Sequence, residues 1–121
     1  MPALPDAALD ERERELLDRL VAALQAEYGD DLDAVWLYGS RARGERPHDE
    51  SDIDVLVITR GERDDKALIP ALWRVLDDLG NPHILVDPRQ RSRAWVQGRR
   101  AIDSFFLREV DRDRIVLYGS A

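Results

Sequence analysis

Cysteine is absent from the 121 residues, and no apolar run approaches the length needed to cross a bilayer. Without cysteine the chain offers no disulfide framework, no zinc–thiolate site and no thiol nucleophile. A membrane-spanning helix needs about 20 consecutive apolar residues. The N-terminal residues MPALPDAALDERERE also do not fit the pattern of a signal peptide. We therefore expect a cytoplasmic protein with no membrane association.

The length of the chain fits one hydrophobic core, so we expect a single domain over residues 1–121. The apolar periodicity predicts helices over about 5–28, 65–79, 92–98 and 102–109, and strands over 34–38, 53–59, 83–86 and 115–118. This alternation predicts an α/β (α+β) fold, a small mixed β-sheet flanked by helices. We expect the helices mainly on one side of the sheet, and the strands 34–38 and 53–59 as neighbours. The tryptophans Trp36, Trp73 and Trp95 are predicted to pack on apolar faces.

The net charge of −7 is unevenly distributed along the chain. Residues 1–33 carry 3 basic and 10 acidic side chains, residues 34–87 carry 7 and 11, and residues 88–121 carry 8 and 4. A uniformly acidic protein would repel nucleic acid. The basic C-terminal third could still offer a local surface to a polyanion, a nucleotide or an acidic partner. The alternative is a set of solvated arginines with no partner.

Two aspartates one residue apart begin the most apolar strand. Asp52 and Asp54 point to the same face because side chains alternate along a strand. Their mutual repulsion at neutral pH is unfavourable, and a hard divalent cation such as Mg²⁺ would remove it. On its own an Asp-x-Asp pair is a weak signal, since two solvated aspartates at a loop would look the same.

The turn after the first strand strengthens the case for a site. Gly39 permits a close backbone approach, and Ser40 supplies a hydroxyl and a free amide that favour an anion such as a phosphate. Arg43 adds a donor fork suited to phosphate oxygens, and Ser51 adds a donor beside Asp52. A phosphate cradle and a carboxylate pair on adjacent strands predict a nucleoside-triphosphate site.

Together the two segments resemble the signature of the DNA polymerase beta-like nucleotidyltransferases. Residues 39–44 read Gly-Ser-Arg-Ala-Arg-Gly, and residues 51–54 read Ser-Asp-Ile-Asp before an apolar strand. The short chain and the wording of the first segment are similar to the minimal nucleotidyltransferases, which are often the antitoxins of HEPN–nucleotidyltransferase toxin–antitoxin pairs. The resemblance is specific over residues 35–58 and looser toward the C-terminus.

The resemblance implies transfer of AMP from ATP to a hydroxyl, with Mg²⁺ or Mn²⁺ as cofactor and pyrophosphate as the leaving group. The implied nucleotide-binding residues are Gly39, Ser40, Arg43 and Ser51, and the implied catalytic and metal-binding residues are Asp52 and Asp54. The implied partner is a HEPN-family toxin protein. Direct nucleic-acid binding is not expected, although an RNA end stays open as an alternative acceptor.

One feature of the family is not evident in the sequence. The family usually carries a third carboxylate on a neighbouring strand, and the segment 83–86 predicted for that strand has no acid at its start. Asp87 at its far end is interpreted as a turn residue before Pro88. His83 could act as a base instead, although an ordinary strand-end histidine is the more common case.

Two functions therefore stay open. The first is an enzyme, most simply a protein adenylyltransferase that modifies its toxin. The alternative is a catalytically weak or inactive antitoxin that neutralises its toxin by direct binding. A small-molecule transferase of the aminoglycoside-modifying kind is a third reading, but it usually needs a longer chain to build the substrate pocket.

Overall fold

A computed structural model of the protein describes residues 7–44, 52–64 and 66–121. Its strands are β1 (Leu32–Tyr38), β2 (Ile53–Thr59), β3 (Val86–Ser92) and β4 (Ile115–Gly119). Its α-helices are α1 (Glu11–Tyr28), α2 (Leu68–Asp78), α3 (Arg93–Ala101) and α4 (Phe105–Asp113), and a 3-10 turn, Gly29–Asp31, joins α1 to β1. In these residues no helix is long and apolar enough to cross a membrane.

The four strands form one mixed sheet in the order β3-β2-β1-β4. β1 pairs antiparallel with both β2 and β4, whereas β2 and β3 are parallel. A parallel pair needs a crossover connection, and α2 provides it. The mixed α/β fold and the pairing of the first two strands confirm the predictions from sequence.

The helices cover both faces of the sheet, so the expectation of helices mainly on one side is wrong. Because side chains alternate along β1, Val35 and Leu37 pack into a core with α1 and α2, while Trp36 packs into a second core with α3 and α4. Trp36 is buried as predicted. Trp73 is 64% exposed on the outer side of α2, so its predicted packing is wrong.

Helix α1 begins at Glu11, later than predicted, because Asp10 caps it. The Asp10 carboxylate accepts from the Glu13 N–H at 2.8 Å, and the Glu13 carboxylate accepts from the Asp10 N–H at 3.0 Å. This capping box satisfies two backbone donors at the helix start. The apolar side chains of α1 then cover one face of the sheet. Helix α2 likewise begins later than predicted, at Leu68.

Strand β3 is where the sequence-based assignment fails. The apolar run predicts a strand over 83–86, but β3 begins at Val86 and continues through polar residues to Ser92. β3 is an edge strand, so it has only one neighbour to satisfy, and Pro88 is tolerated in it. Several of its side chains are polar, so an apolar-run criterion misses it.

Candidate active site

The turn after β1 lies against the start of β2. Gly39 has φ +80°, and a Cβ atom at this position would overlap the Asp54 carboxylate. Only glycine combines this backbone conformation with so close an approach. Tyr38 and Asp54 are paired in the β1–β2 register. The structure therefore brings the predicted phosphate turn and the predicted carboxylate together, as the sequence indicated.

A third carboxylate joins the site from β3. Asp87 is the register partner of Asp54 across the parallel pair, so the two side chains share a face of the sheet. The interpretation of Asp87 as a turn residue is wrong, because the strand that carries it begins one residue earlier. The pKa of Asp54 is raised to about 6, first by burial and then by the negative charges of Asp87 and Asp52. Burial and these neighbouring negative charges both disfavour the ionised form of Asp54.

The carboxylates are not gathered into a preformed cation site. Within 7–44, 52–64 and 66–121, no three acidic or histidine side chains lie close enough together to hold a metal ion as they stand. Asp52 is exposed immediately before β2, and Asp54 is partly buried. Carboxylate oxygens are nevertheless the ligands that Mg²⁺ takes, so the donor chemistry of this face fits the ion.

A cleft of about 370 Å³ lies between the turn after β1 and helix α4. Its lining combines the end of β1, three of the predicted phosphate-binding residues, Asp54 and one side of α4: Tyr38, Gly39, Ser40, Arg43, Asp54, Phe105, Phe106, Glu109, Val110 and Asp113. Tyr38 contacts Phe106 edge-on, with ring centroids 5.6 Å apart. Burial, and then the charge of Asp54, raise the pKa of the Tyr38 hydroxyl to about 12. That hydroxyl therefore stays neutral beside the carboxylates at physiological pH.

Arg43 is held in the cleft by a buried carboxylate. Its Nη1 donates to Asp113 Oδ2 at 2.6 Å, and the Asp113 side chain is 3% exposed. Burial alone would raise the pKa of Asp113, but hydrogen bonds from Arg112 and Arg43 outweigh it and lower that pKa. The ion pair ties the Gly-Ser turn to α4. It also orients the guanidinium that the sequence predicts as a phosphate contact.

Two residues considered in the sequence are not among those that line the cleft in the described part of the chain. Ser51, a predicted nucleotide-binding residue, lies outside the described ranges. His83 is exposed between α2 and β3 and does not line the cleft. The site also uses two carboxylates that sequence reasoning missed, Asp87 and Asp113. The polar alternation Asp87, Arg89, Arg91 was a usable signal for a strand with one solvent-facing side, whereas nothing local marks Asp113.

Comparison with known families agrees with this geometry. The sequence model of the nucleotidyltransferase domain family matches residues 17–100, and the chain belongs to that family. The match includes the Gly-Ser turn, β2 and all of β3. No curated protein matches the sequence.

Solved structures share the fold at low sequence identity. A chain of a toxin–antitoxin complex with AMP-PNP is similar over 86% of this chain and 73% of its own length, with 20% identity and a TM-score of 0.55. A chain from a mutant form of the toxin–antitoxin complex MntA-HpeT covers 85% and 72%, at 20% identity and a TM-score of 0.54. A chain from the complex of tri-AMPylated Shewanella oneidensis HEPN toxin with MNT antitoxin covers 88% and 72%, at 17% identity and a TM-score of 0.52.

Proposed function

We propose that this nucleotidyltransferase domain transfers AMP from ATP to a hydroxyl of a partner protein and acts as the antitoxin of a HEPN-family toxin. The observation that carries the proposal is that Asp54 and Asp87 meet in register beside the Gly39 turn. That arrangement combines an anion-binding turn with paired carboxylates, which is the requirement of metal-assisted phosphoryl chemistry. The similar folds include a complex with AMP-PNP and a complex that contains an AMPylated HEPN toxin, which supports this choice of nucleotide and partner.

Each residue has a distinct role in the proposed reaction. The Gly39–Ser40 turn holds the triphosphate through backbone N–H groups and the Ser40 hydroxyl, and Arg43 contacts a phosphate oxygen. The acceptor oxygen forms a bond to the α-phosphorus while the bond to pyrophosphate breaks. Asp87, on the far side of Asp54 from the turn, accepts the proton of the acceptor hydroxyl.

Asp52, Asp54 and Asp87 are the residues that would hold Mg²⁺ or Mn²⁺. Bound there, the ion supplies positive charge that stabilises the phosphoryl group during displacement. The raised pKa of Asp54 is consistent with this assignment, because a carboxylate repelled by its neighbours gains when a cation compensates the charge. The chain itself contributes positioning and a closely fitted turn.

The experiment that tests the proposal is mass spectrometry of the toxin after incubation with the protein, ATP and Mg²⁺. We expect the mass of one or more AMP units to be added to the toxin. Asp54→Asn should abolish the addition, and the matched control Asp78→Asn, an exposed carboxylate of α2, should leave it intact. Addition of AMP that persists in Asp54→Asn would refute the assigned site.

The alternative is an antitoxin that acts by binding alone, and it rests on the apparent lack of a third carboxylate. Asp87, in register with Asp54, is our candidate for that carboxylate, which favours the enzyme. A toxin that is bound and inhibited but unmodified would favour the alternative instead.

A further inference from the structure

A second groove continues from the carboxylates along the same face of the sheet. It has a volume of about 220 Å³ and lies between β3, α3 and the start of α4. Its floor is Leu56, the next residue after Asp54 on this face, and Leu56 is the register partner of Arg89. Arg89 and Arg91 follow Asp87 at every second position of β3, so their side chains point to the same face of the sheet as that of Asp87.

Aromatic rings fix the arginines of this groove. The guanidinium of Arg91 lies 5.1 Å from the centroid of the Trp95 ring, and that of Arg99 lies 5.2 Å from the same ring. Arg89 lies 5.8 Å from the ring centroid of Phe106. Cation–π contacts restrain a guanidinium without neutralising its charge or using its hydrogen-bond donors for a carboxylate.

The charge of the groove is left largely uncompensated. In the part of the chain that the structure describes, neither Arg91 nor Arg99 has a carboxylate within ion-pair distance, and Arg89 reaches Asp87 only at 3.6 Å. Neighbouring arginines differ: Arg93 pairs with Asp33 at 2.6 Å, and Arg100 pairs with Asp111 at 2.7 Å. Guanidinium groups that are positioned without a carboxylate partner are suited to binding an anionic group from outside the chain.

The groove lies on the acceptor side of the proposed reaction. The phosphate turn follows β1, Asp54 lies on β2, and Asp87 and the groove belong to β3 at the sheet edge. In an in-line displacement the attacking and leaving oxygens are on opposite sides of the phosphorus. If the leaving pyrophosphate is held at the turn, the acceptor must approach from the side of β3.

We propose that the groove formed by Arg89, Arg91, Trp95 and Arg99 binds an acidic polypeptide segment of the acceptor protein, close to the hydroxyl that is modified. The inference rests on the proposed function, which supplies the direction of attack. The acceptor segment would carry one or two carboxylates next to the modified residue.

Three observations favour a peptide over a nucleic acid. The Trp95 ring is already engaged by two guanidinium groups, so it offers no free platform for a base. Glu62 and Asp64 line the wider cavity that continues past Arg91, so the basic groove is short: a short acidic segment fits within it, whereas a longer polyphosphate chain would run past these carboxylates. The net charge of −7 repels either anion, and the repulsion is greater for a polynucleotide, which carries a charge on every phosphate, than for a segment with one or two carboxylates.

The test uses three fluorescein-labelled probes with the full chain: a glutamate-rich peptide, a lysine-rich peptide and single-stranded oligouridylate. We expect fluorescence anisotropy to detect binding of the glutamate-rich peptide only, weakening as salt is raised. The variant Arg91→Gln/Arg99→Gln should weaken this binding by about tenfold or more. The matched control Arg74→Gln/Arg108→Gln removes two exposed arginines from other surfaces and should leave it unchanged.

A second readout separates this inference from the proposed function. The rise in melting temperature caused by ATP with Mg²⁺ should be the same in the parent and in Arg91→Gln/Arg99→Gln. Loss of that rise in the groove variant would overturn the inference, because the arginines would then bind the nucleotide. Binding of oligouridylate through the same arginines, or no loss of glutamate-peptide binding in the variant, would also overturn it. If ATP fails to stabilise even the parent while the peptide still binds through the arginines, the proposed function fails and the acidic-ligand site stands.

Discussion

Asp54 and Asp87 are register partners across the parallel strands β2 and β3, and the backbone of Gly39 abuts Asp54 from the opposite side. The end of β1 and the starts of β2 and β3 therefore meet at the same edge of the sheet and form the candidate site together. The β1 turn provides backbone donors, β2 provides a carboxylate of raised pKa, and β3 provides a second carboxylate. Because Asp87 lies on the far side of Asp54 from the turn, the proposed function assigns it to the activation of the acceptor hydroxyl.

Asp87→Asn should separate nucleotide binding from transfer. The asparagine keeps the shape of the side chain but loses the negative charge and the ability to accept a proton, so we expect AMP transfer to fall by about a hundredfold or more. Binding of ATP to the turn should change much less, because Gly39 and Ser40 are untouched. The measurement is the rate of AMP transfer to the toxin, followed by mass spectrometry, beside the ATP-induced shift in melting temperature. Transfer at the parent's rate would contradict a role for Asp87.

Metal dependence can be checked on the protein alone. ATP with Mg²⁺ should raise the melting temperature, because a ligand bound only by the folded state stabilises it. In Asp52→Asn/Asp54→Asn the part of the shift that depends on Mg²⁺ should disappear, while the small shift from ATP alone stays. A double variant that responds to Mg²⁺ as the parent does would show that these carboxylates are not its ligands.

Gly39→Ala should damage the site more than an ordinary glycine substitution. The residue would have to adopt φ near +80° and its methyl group would overlap the Asp54 carboxylate, so we expect a loss of about 1–3 kcal/mol in the free energy of unfolding. The ATP-induced shift in melting temperature should also be lost.

Gly98→Ala is the matched control for this variant. Gly98 lies within α3, where nothing within 4 Å would meet a Cβ atom, so alanine should stabilise the helix by about 0.5–1 kcal/mol. Urea denaturation measures both variants. Equal stability of Gly39→Ala and the parent would contradict the close contact.

The part of the site that sequence reasoning found is the part carried by local signals. Gly39, Ser40, Asp52 and Asp54 lie at the ends of two apolar strands, and hydrophobic patterning predicts these strand ends correctly. The position of Asp87 is fixed by the pairing of β3 with β2. The sequence does not show this pairing, because β3 has a polar side that is partly exposed. The apolar run before Asp87 has the composition of a strand, so the sequence predicts the strand at 83–86 instead of at Val86–Ser92.

The two-sided arrangement of helices escapes prediction for a related reason. Both faces of β1 and β2 are buried and largely apolar, so both need cover, but α3 and α4 are short and strongly charged, so their sequences do not mark them as that cover. Their apolar positions are few, such as Val96, Leu107 and Val110, yet these few side chains cover the second face. Asp113 could not be predicted, because its partner Arg43 lies 70 residues away in sequence.

The raised pKa of Asp54 predicts a specific pH dependence of stability. In the folded state this carboxyl binds its proton with a pKa of about 6, above the ordinary value of 3.8, so folding favours the protonated form. The parent should therefore lose stability as pH rises through 6, and we expect about 1–2 kcal/mol of destabilisation above that pH after allowing for solvent screening.

Asp54→Asn isolates this contribution. Without Mg²⁺, the variant should be more stable than the parent at pH 7.5, and the difference should shrink as pH falls through about 6 toward about 4, where the parent's carboxyl is protonated. Urea denaturation at several pH values measures the difference. A difference that stays constant across this range would contradict the assignment of the raised pKa to Asp54.

A buried ion pair fixes the Gly-Ser turn to the start of α1. Arg41 Nη1 donates to Glu13 Oε2 at 2.7 Å, with side-chain exposures of 8% and 10%, and to the Ala8 carbonyl at 3.0 Å. Glu13→Gln removes a negative charge that pairs with Arg41 in a desolvated position, so we expect a loss of about 2–4 kcal/mol in the free energy of unfolding. Glu15→Gln, which alters the exposed pair with Arg19, is the control and should change stability by less than about 0.5 kcal/mol.

Because Arg41 follows Ser40 directly, Glu13→Gln should also weaken ATP binding, whereas Glu15→Gln should not. Chemical denaturation and ATP titration of both variants measure the two effects, and a Glu13→Gln protein as stable as Glu15→Gln would mean that the pair does not hold the turn.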